Sequence, residues 1–222
     1  VWRSKKVEKH RVEQLCDLVK QVGYAVPKPQ PYLWLSDPRL KKGSSVLPPQ
    51  KAPLIAVSPL ANWPGKEWPH PQMIALLKRI RSEEGPFQGA KFAFFAAPNE
   101  QERLRDFKSH FETKDCVDVG DYPRLLDVAA LMTRCDFFIG NDSGLMHMAA
   151  ALGLPTLGLF GPSYDLFYRP WGEKAHLLRT PEPPQDLIDR ADSGNEDLLM
   201  QNLTTQEVYQ GVKDLAILYK SS

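Results

Sequence analysis

Short apolar runs alternate with amphipathic segments from residue 54 to the C-terminus. The runs have the length of buried strands and predict strands at residues 54–58, 90–97, 116–119, 136–140, 155–160 and 176–179. Helical spacing between and after them predicts helices at residues 71–84, 99–111, 124–133, 145–152 and 204–219. Regular strand–helix alternation is typical of a parallel sheet with helices on both faces. The predicted fold class is α/β, with a doubly wound, Rossmann-like parallel sheet.

The N-terminal part of the chain follows a different pattern. Residues 5–22 space valines and leucines as one face of an amphipathic helix that ends at Gly23. Residues 25–53 are rich in proline, which predicts an extended connector with at most one short strand at residues 32–35. The pattern therefore divides the chain into a helix remaining from an N-terminal domain (1–24), a proline-rich linker (25–53) and a Rossmann-like domain (54–222).

Composition indicates which binding partners, metal sites and cell compartment to expect. The 28 Lys and Arg residues nearly balance the 27 Asp and Glu residues, which disfavours a nucleic-acid-binding surface. Cys16, Cys116 and Cys135 lack C-x-x-C spacing, which predicts buried, unpaired thiols in a reducing compartment. The histidines are scattered singly, so no metal site is predicted. Because no apolar stretch is long enough to span a bilayer, a cytoplasmic location is expected.

Residues 136–163 hold the densest candidate chemistry, in the order strand, turn, helix, strand. Asp142 and Ser143 directly follow a predicted strand, at the edge of the sheet where open α/β proteins bind ligands. Unpaired N–H groups at the start of the next helix, near Gly144, favour a phosphate or an acidic partner. Helix capping would explain Asp142 and Ser143 about as well, and a structural role would explain His147 about as well.

The loop at residues 59–69 leaves the first strand of the domain at the same edge. Its Lys66 is a flexible positive charge suited to a phosphate, although a solvated surface lysine is the more ordinary alternative. Trp68 is predicted to anchor the loop by packing, in preference to serving as a ligand platform. A lysine in the loop after one strand and a helix that starts after another strand would together form a site suited to a diphosphate.

Motif spacing excludes three common classes of enzyme. The chain has no G-x-S-x-G elbow, no G-x-G-x-x-G after a strand and no G-x-x-x-x-G-K-[ST] loop. These absences exclude an α/β-hydrolase, a standard dinucleotide-binding fold and a P-loop nucleotide hydrolase or kinase.

Three segments resemble the signature of the family 9 glycosyltransferases, the lipopolysaccharide heptosyltransferases. They are Gly140-Asn-Asp-Ser-Gly-Leu-Met-His147, Ala149-Ala-Ala-Leu-Gly-Leu-Pro155 and Leu159-Phe-Gly-Pro162. Lys66-Glu-Trp-Pro69 resembles the K-x-W-P loop of that family, and the resemblance runs in order from about residue 54 to residue 160. It implies the C-terminal domain of a GT-B fold, which has two Rossmann-like domains and holds an ADP-heptose donor mainly in the C-terminal one.

The resemblance also implies a set of donor-binding residues. They are Ala61, Asn62, Lys66, Glu102, Pro123, Leu125, Asp142, Ser143, Gly144 and His147. Lys66 would act in catalysis by neutralising the leaving diphosphate, next to backbone N–H groups of the turn after the fourth strand. Asp142 would bind sugar hydroxyls, His147 would support the phosphate region, Glu102 would hold the ribose, and the backbone between Pro123 and Leu125 would touch adenine. Ala61 and Asn62 replace the small hydroxyl residues that many family members carry.

The implied reaction is inverting transfer of a sugar from an ADP-sugar to a saccharide or lipid-linked saccharide of the lipopolysaccharide core, without a cofactor or a metal. The general base is expected outside this chain, in an N-terminal domain present in cis or supplied by a partner. A lipid-linked acceptor would place the enzyme peripherally at the inner membrane. The alternatives are a non-catalytic nucleotide-sugar-binding module and a sugar-nucleotide epimerase.

Overall fold

A computed structural model describes residues 9–117, 119, 124–194 and 199–219, and its centre is one six-stranded sheet. The strands are β1 (Leu54–Ser58), β2 (Lys91–Phe94), β3 (Cys116–Val117), β4 (Phe137–Asn141), β5 (Thr156–Phe160) and β6 (Ala175–Arg179). Every pair of neighbours is parallel, in the order β3-β2-β1-β4-β5-β6. This is the strand order of a Rossmann-like, doubly wound sheet, so the predicted fold class is confirmed.

The helices cover both faces of the sheet. They are α1 (Arg11–Gln21), α2 (Asp37–Val46), α3 (His70–Ile80), α4 (Gln101–Lys108), α5 (Leu125–Met132), α6 (Gly144–Ala151), α7 (Asp165–Tyr168), α8 (Pro184–Asp192) and α9 (Thr205–Tyr219). The predicted strands and the predicted helices after residue 54 all form, with ends shifted by up to four residues. The sequence pattern therefore located these elements more accurately than it located their ends.

Alternating side chains of the central strands divide the core into two apolar clusters. Ile55 and Val57 of β1 pack with α3 and α9 on one face of the sheet. Ala56 of β1 and Phe138 of β4 pack with α5 and α6 on the other face. Both strands are buried along their whole length, as strands between two helical layers should be.

The strand order reverses between β1 and β4, and this switch point positions the site. Ser58 and Gly140 pair across it. A Cβ atom on Gly140 would lie 2.7 Å from the Ser58 carbonyl oxygen, so only glycine permits this approach. Because both strands end here, the loops that follow them must diverge, and they leave a crevice between them.

The N-terminal connector contains a helix, contrary to the prediction that it is extended. Residues 32–35 form no strand, and Tyr32 and Trp34 are exposed. Residues 37–46 form α2, which packs against α5. A Cβ on Gly43 would lie 2.6 Å from the Ala130 carbonyl oxygen, so this glycine lets the two helices touch. The division of the chain at residues 24 and 53 stays a prediction.

Other local predictions had mixed outcomes. The acidic polar segment after β6 contains α8, a helix that sequence reading missed. Thr204 and Glu207 cap α9 reciprocally: the Glu207 N–H donates to Thr204 Oγ1 at 3.2 Å, and the Thr204 N–H donates to Glu207 Oε2 at 2.8 Å. Cys135 is buried as predicted, whereas Cys16 and Cys116 are only half-buried.

The described residues contain neither a helix that could span a membrane nor a cluster of side chains that could hold a metal ion. None of their helices is both long and apolar enough to cross a membrane. Nor does any group of three or more His, Cys, Asp or Glu side chains lie close enough together there to hold a metal ion.

His10 connects α1 to the loop after α7. Its Nδ1 accepts the Val12 N–H at 3.2 Å, its Nε2 lies 2.8 Å from the Arg169 carbonyl oxygen, and its ring stacks on Trp171. α1 therefore begins at Arg11, and the predicted helix start at residue 5 lies outside the described residues. Burial lowers the pKa of His10, the Arg169 carbonyl opposes this, and the charges of Arg169 and His147 lower it further.

Acidification should destabilise the fold through His10. Because the folded-state pKa lies below the ordinary 6.5, the unfolded chain binds the proton first, and stability is lost as pH falls through 6.5. We expect the free energy of unfolding, measured by urea titration from about pH 7 to about pH 5, to fall less steeply in His10→Asn than in the unmodified chain. His110→Asn, at an exposed position, is the matched control and should leave the slope unchanged. Parallel slopes for all three proteins would contradict the expectation.

Candidate functional site

A cleft of about 720 Å³ opens at the carboxyl ends of β1 and β4, where the strand order reverses. Most of the predicted donor-binding residues line it: Ala61, Asn62, Lys66, Leu125, Asp142, Ser143, Gly144 and His147. The site residues come from the loop after β1, the turn after β4, helix α6 and the start of α5. The fold therefore brings together side chains that are far apart in sequence.

A lysine–aspartate pair joins the two strand ends. Lys66 Nζ lies 2.8 Å from Asp142 Oδ2, and Ser163 Oγ donates to the same oxygen at 2.6 Å. Asp142 and Ser163 are both buried, whereas Lys66 is partly exposed. The pair therefore places a positive charge at the cleft surface while a nearly buried carboxylate fixes its position.

Asn141, at the end of β4, holds the Lys66 loop in place. Its side-chain amide donates to the Pro59 carbonyl at 2.7 Å and accepts the Trp68 N–H at 3.0 Å. The Trp68 ring is fully buried and its Nε1 donates to the Leu203 carbonyl at 2.8 Å. The prediction that Trp68 anchors the loop by packing is confirmed.

Glu67 fixes the other half of this loop. Its carboxylate accepts the Ala61 N–H at 2.9 Å and lies 2.5 Å from Arg103 of α4 and 3.3 Å from His70 of α3. Burial would raise the pKa of Glu67, but the contacts with His70, Ala61 and Arg103 outweigh it and hold the pKa below its ordinary value. The carboxylate is therefore charged near neutral pH and links the loop to two helices.

The start of α6 faces the cleft without a side-chain cap. Ser143 is the N-cap residue, yet its hydroxyl makes no capping bond, and its buried Oγ has no hydrogen-bond partner among the described residues. A Cβ on Gly144 would meet nothing within 4 Å, so close packing does not explain this glycine. Since the Asp142 carboxylate binds Lys66 and Ser163 instead, capping accounts for neither Asp142 nor Ser143.

His147 lies one turn into α6 with its ring exposed at the cleft. Partial removal of water by the surrounding protein lowers its pKa, Asp142 opposes this shift, and the nearby Lys66 charge adds to it. The imidazole is therefore neutral near neutral pH in the free protein.

Part of the cleft wall is apolar. Leu125 and Val128 of α5, Met148 of α6 and the Ala96–Pro98 backbone form this wall. Such a surface suits a flat ring, while the polar half suits an anion. Leu125 is well exposed, and Pro123, the other residue predicted near an adenine, lies outside the described residues.

Glu102 does not line the cleft, contrary to its predicted place in the site. It is exposed on α4, whereas Glu100, two residues earlier, is nearly buried and does line the cleft. Residues 98–100 form a 3₁₀ turn in which Glu100 Oε2 accepts the Ala97 N–H at 2.9 Å. The helix predicted from residue 99 therefore starts two residues later, at Gln101.

Two more lining residues were missed by sequence reading. Ser163 follows β5 at the same edge of the sheet, and its position after a strand was a signal that could have identified it. Tyr168 comes from α7 and borders the cleft near α1, since Arg11 donates to its hydroxyl at 3.1 Å. Nothing in the local sequence pattern predicted that position.

The strand order and the cleft at its switch point define a Rossmann-like α/β protein. The model of glycosyltransferase family 9 (heptosyltransferase) matches residues 2–195, and the chain belongs to that family.

Curated relatives and solved structures agree with this placement. Lipopolysaccharide heptosyltransferase 2 of Salmonella typhimurium is 31% identical over 163 residues, which are 68% of this chain and 44% of the relative. The structure of Escherichia coli ADP-heptose lipopolysaccharide heptosyltransferase II aligns with a TM-score of 0.65 at 26% identity, over 86% of this chain and 54% of the other. A family 9 glycosyltransferase of Veillonella parvula aligns with a TM-score of 0.79 at 23% identity, over 97% of this chain and 62% of the other, which supports the fold alone. The chain thus spans about half the length of such relatives.

Proposed function

We propose that this chain is the donor-binding part of an inverting, heptosyltransferase-like glycosyltransferase that uses an ADP-sugar. One observation carries the proposal: the ammonium of Lys66, held by Asp142, lies in one cleft with the uncapped start of α6 and an apolar wall. A nucleoside diphosphate has the matching parts, since it joins two negative phosphates to a flat base.

Each part of the donor has a candidate position. The diphosphate lies between Lys66 and the N–H groups at Ser143 and Gly144, next to His147. The base lies on the apolar wall at Leu125. The sugar lies at the polar end near Asp142, and the loop at Ala61 and Asn62 closes the phosphate side.

Glu100 replaces Glu102 as our candidate for the ribose hydroxyls. It lines the cleft at the end of the 3₁₀ turn, and among the described residues its only hydrogen-bond donor is the Ala97 N–H, which binds Oε2. A carboxylate oxygen that faces a vicinal diol can accept two hydrogen bonds, which suits a ribose.

The mechanism we propose is electrostatic. As the anomeric carbon–oxygen bond breaks, negative charge accumulates on the departing diphosphate, and Lys66 and the α6 dipole stabilise it without a metal. The acceptor hydroxyl attacks from the opposite face, which inverts the anomeric centre, and gives its proton to a general base outside this chain.

The names of the relatives suggest the substrates. Escherichia coli heptosyltransferase II is described as an ADP-heptose enzyme, and the Salmonella relative as a lipopolysaccharide heptosyltransferase. We propose ADP-heptose as the donor and a lipopolysaccharide-core saccharide as the acceptor. An N-terminal domain, in cis or on a partner, supplies the acceptor site, and the enzyme works in the cytoplasm at the inner face of the membrane.

Isothermal titration calorimetry tests donor binding. We expect ADP to bind with a Kd in about the micromolar to sub-millimolar range, and adenosine to bind at least about tenfold more weakly because it lacks the phosphates. A folded chain that does not bind ADP, or that binds adenosine equally well, would contradict the proposal. Uridine and guanosine diphosphates in the same titration show whether the apolar wall selects adenine.

A further inference from the structure

We infer that Ser163 is a positioning residue for the proposed diphosphate site, which it serves by keeping the Asp142 carboxylate hydrogen-bonded when Lys66 turns to the ligand. The inference rests on the proposed function and adds a residue to it. Ser163 Oγ and Lys66 Nζ reach the same oxygen, Asp142 Oδ2, at 2.6 and 2.8 Å. No hydrogen bond reaches Asp142 Oδ1 from the described residues.

The Ser163 hydroxyl is placed by a closely packed turn. Ser163 is 6% exposed and follows the Gly161-Pro162 step at the end of β5. A Cβ on Gly161 would lie 2.4 Å from Met200 Cγ, so the turn has no room to shift on that side. The proline fixes one backbone dihedral angle next to the serine. The short serine side chain therefore donates from a fixed backbone, unlike the long Lys66 side chain, which can move.

This difference matters when a ligand competes for the lysine. A diphosphate attracts the Lys66 ammonium away from Asp142. Asp142 is only 7% exposed. A buried carboxylate without a donor is strongly unfavourable, so a lysine that was its only donor would be released reluctantly. Ser163 keeps one hydrogen bond on Oδ2 and so lowers the cost of releasing Lys66.

The test is a double-mutant cycle on ADP affinity, measured by calorimetry. We expect Ser163→Ala to weaken ADP binding about five- to tenfold, since a hydrogen bond to a charged group is lost when Lys66 moves. In an Asp142→Asn background the same change should alter the Kd by less than about twofold, because no carboxylate is left to satisfy. Ser163→Thr keeps the hydroxyl and should restore most of the affinity.

Controls separate this role from a packing role. Ser58→Ala removes another buried serine hydroxyl, at the end of β1 and outside the cleft lining, and it should leave ADP affinity unchanged. If Ser163→Ala does not fold, Ser163→Cys keeps the shape with a much weaker donor and should show the same loss. Two results would overturn this inference and leave the proposed function standing. One is an unchanged Kd for ADP in Ser163→Ala, and the other is a loss of affinity in the Asp142→Asn background that equals the loss in the unmodified background. If the unmodified chain does not bind ADP, the proposed function fails, and the inference fails with it.

Discussion

Replacing Lys66 with methionine should weaken ADP binding about 30-fold, which corresponds to about 2 kcal/mol for a lost charge-assisted contact. Methionine keeps an unbranched side chain that is one heavy atom shorter, and it removes the charge together with the N–H donors. Lys66 supplies the only ammonium group that lines the described cleft, so none of its other lining residues can replace that charge at the phosphates. Calorimetry with ADP measures the loss directly, and adenosine binding should change by less than about twofold.

A lower affinity could also come from a damaged fold, because Lys66→Met leaves the Asp142 carboxylate with Ser163 as its only donor among the described residues. The double variant Lys66→Met/Asp142→Asn removes both charges, so it should recover the unfolding midpoint without recovering ADP affinity. Lys78→Met, at an exposed position on α3, is the matched control and should bind ADP normally. Equal ADP affinity for Lys66→Met and the unmodified chain would remove the lysine from the site.

The sequence predicted the parts of the site that depend on strand ends. Lys66 and Asp142 each follow a buried strand, and parallel strands end at one edge of a sheet, so their proximity could be inferred from order alone. The contact between them, at 2.8 Å, could not be inferred, because it depends on how Asn141 joins the two loops through hydrogen bonds.

The failures have equally specific causes. Glu102 was implied by the family resemblance, whereas the structure places Glu100 at the cleft, in a 3₁₀ turn where the sequence had predicted the start of a helix. The connector at residues 25–53 was predicted to be extended because it is rich in proline, and only the structure shows that α2 forms there and that Gly43 lets it contact α5. Local pattern thus predicts the type of element, while tertiary contacts decide which of its residues are used.

The residues that bind the ligand and those that hold the fold meet in one short segment. Lys66 faces the cleft, Glu67 joins the loop to α3 and α4, and Trp68 enters the core two residues later. The position of the ammonium therefore depends on core packing as well as on Asp142. A change in that packing should affect both stability and binding.

Replacing Trp68 with alanine should lower the free energy of unfolding by about 3–5 kcal/mol, because it leaves a large cavity in the core. Trp68 is fully buried among apolar residues that include Leu203, and its Nε1 is the donor to the Leu203 carbonyl. Urea denaturation measures the loss. Trp68→Phe should retain part of the stability, since it fills part of the cavity but leaves that carbonyl without its donor.

Trp34 offers the matched control, because its side chain is 79% exposed. Trp34→Ala should change the free energy of unfolding by less than about 0.5 kcal/mol. Similar losses for Trp34→Ala and Trp68→Ala would show that Trp68 is not the anchor of this loop. A Trp68→Ala chain that stays folded under mild conditions should also bind ADP more weakly than the unmodified chain, because Lys66 is then held only by Asp142 and not by a fixed loop.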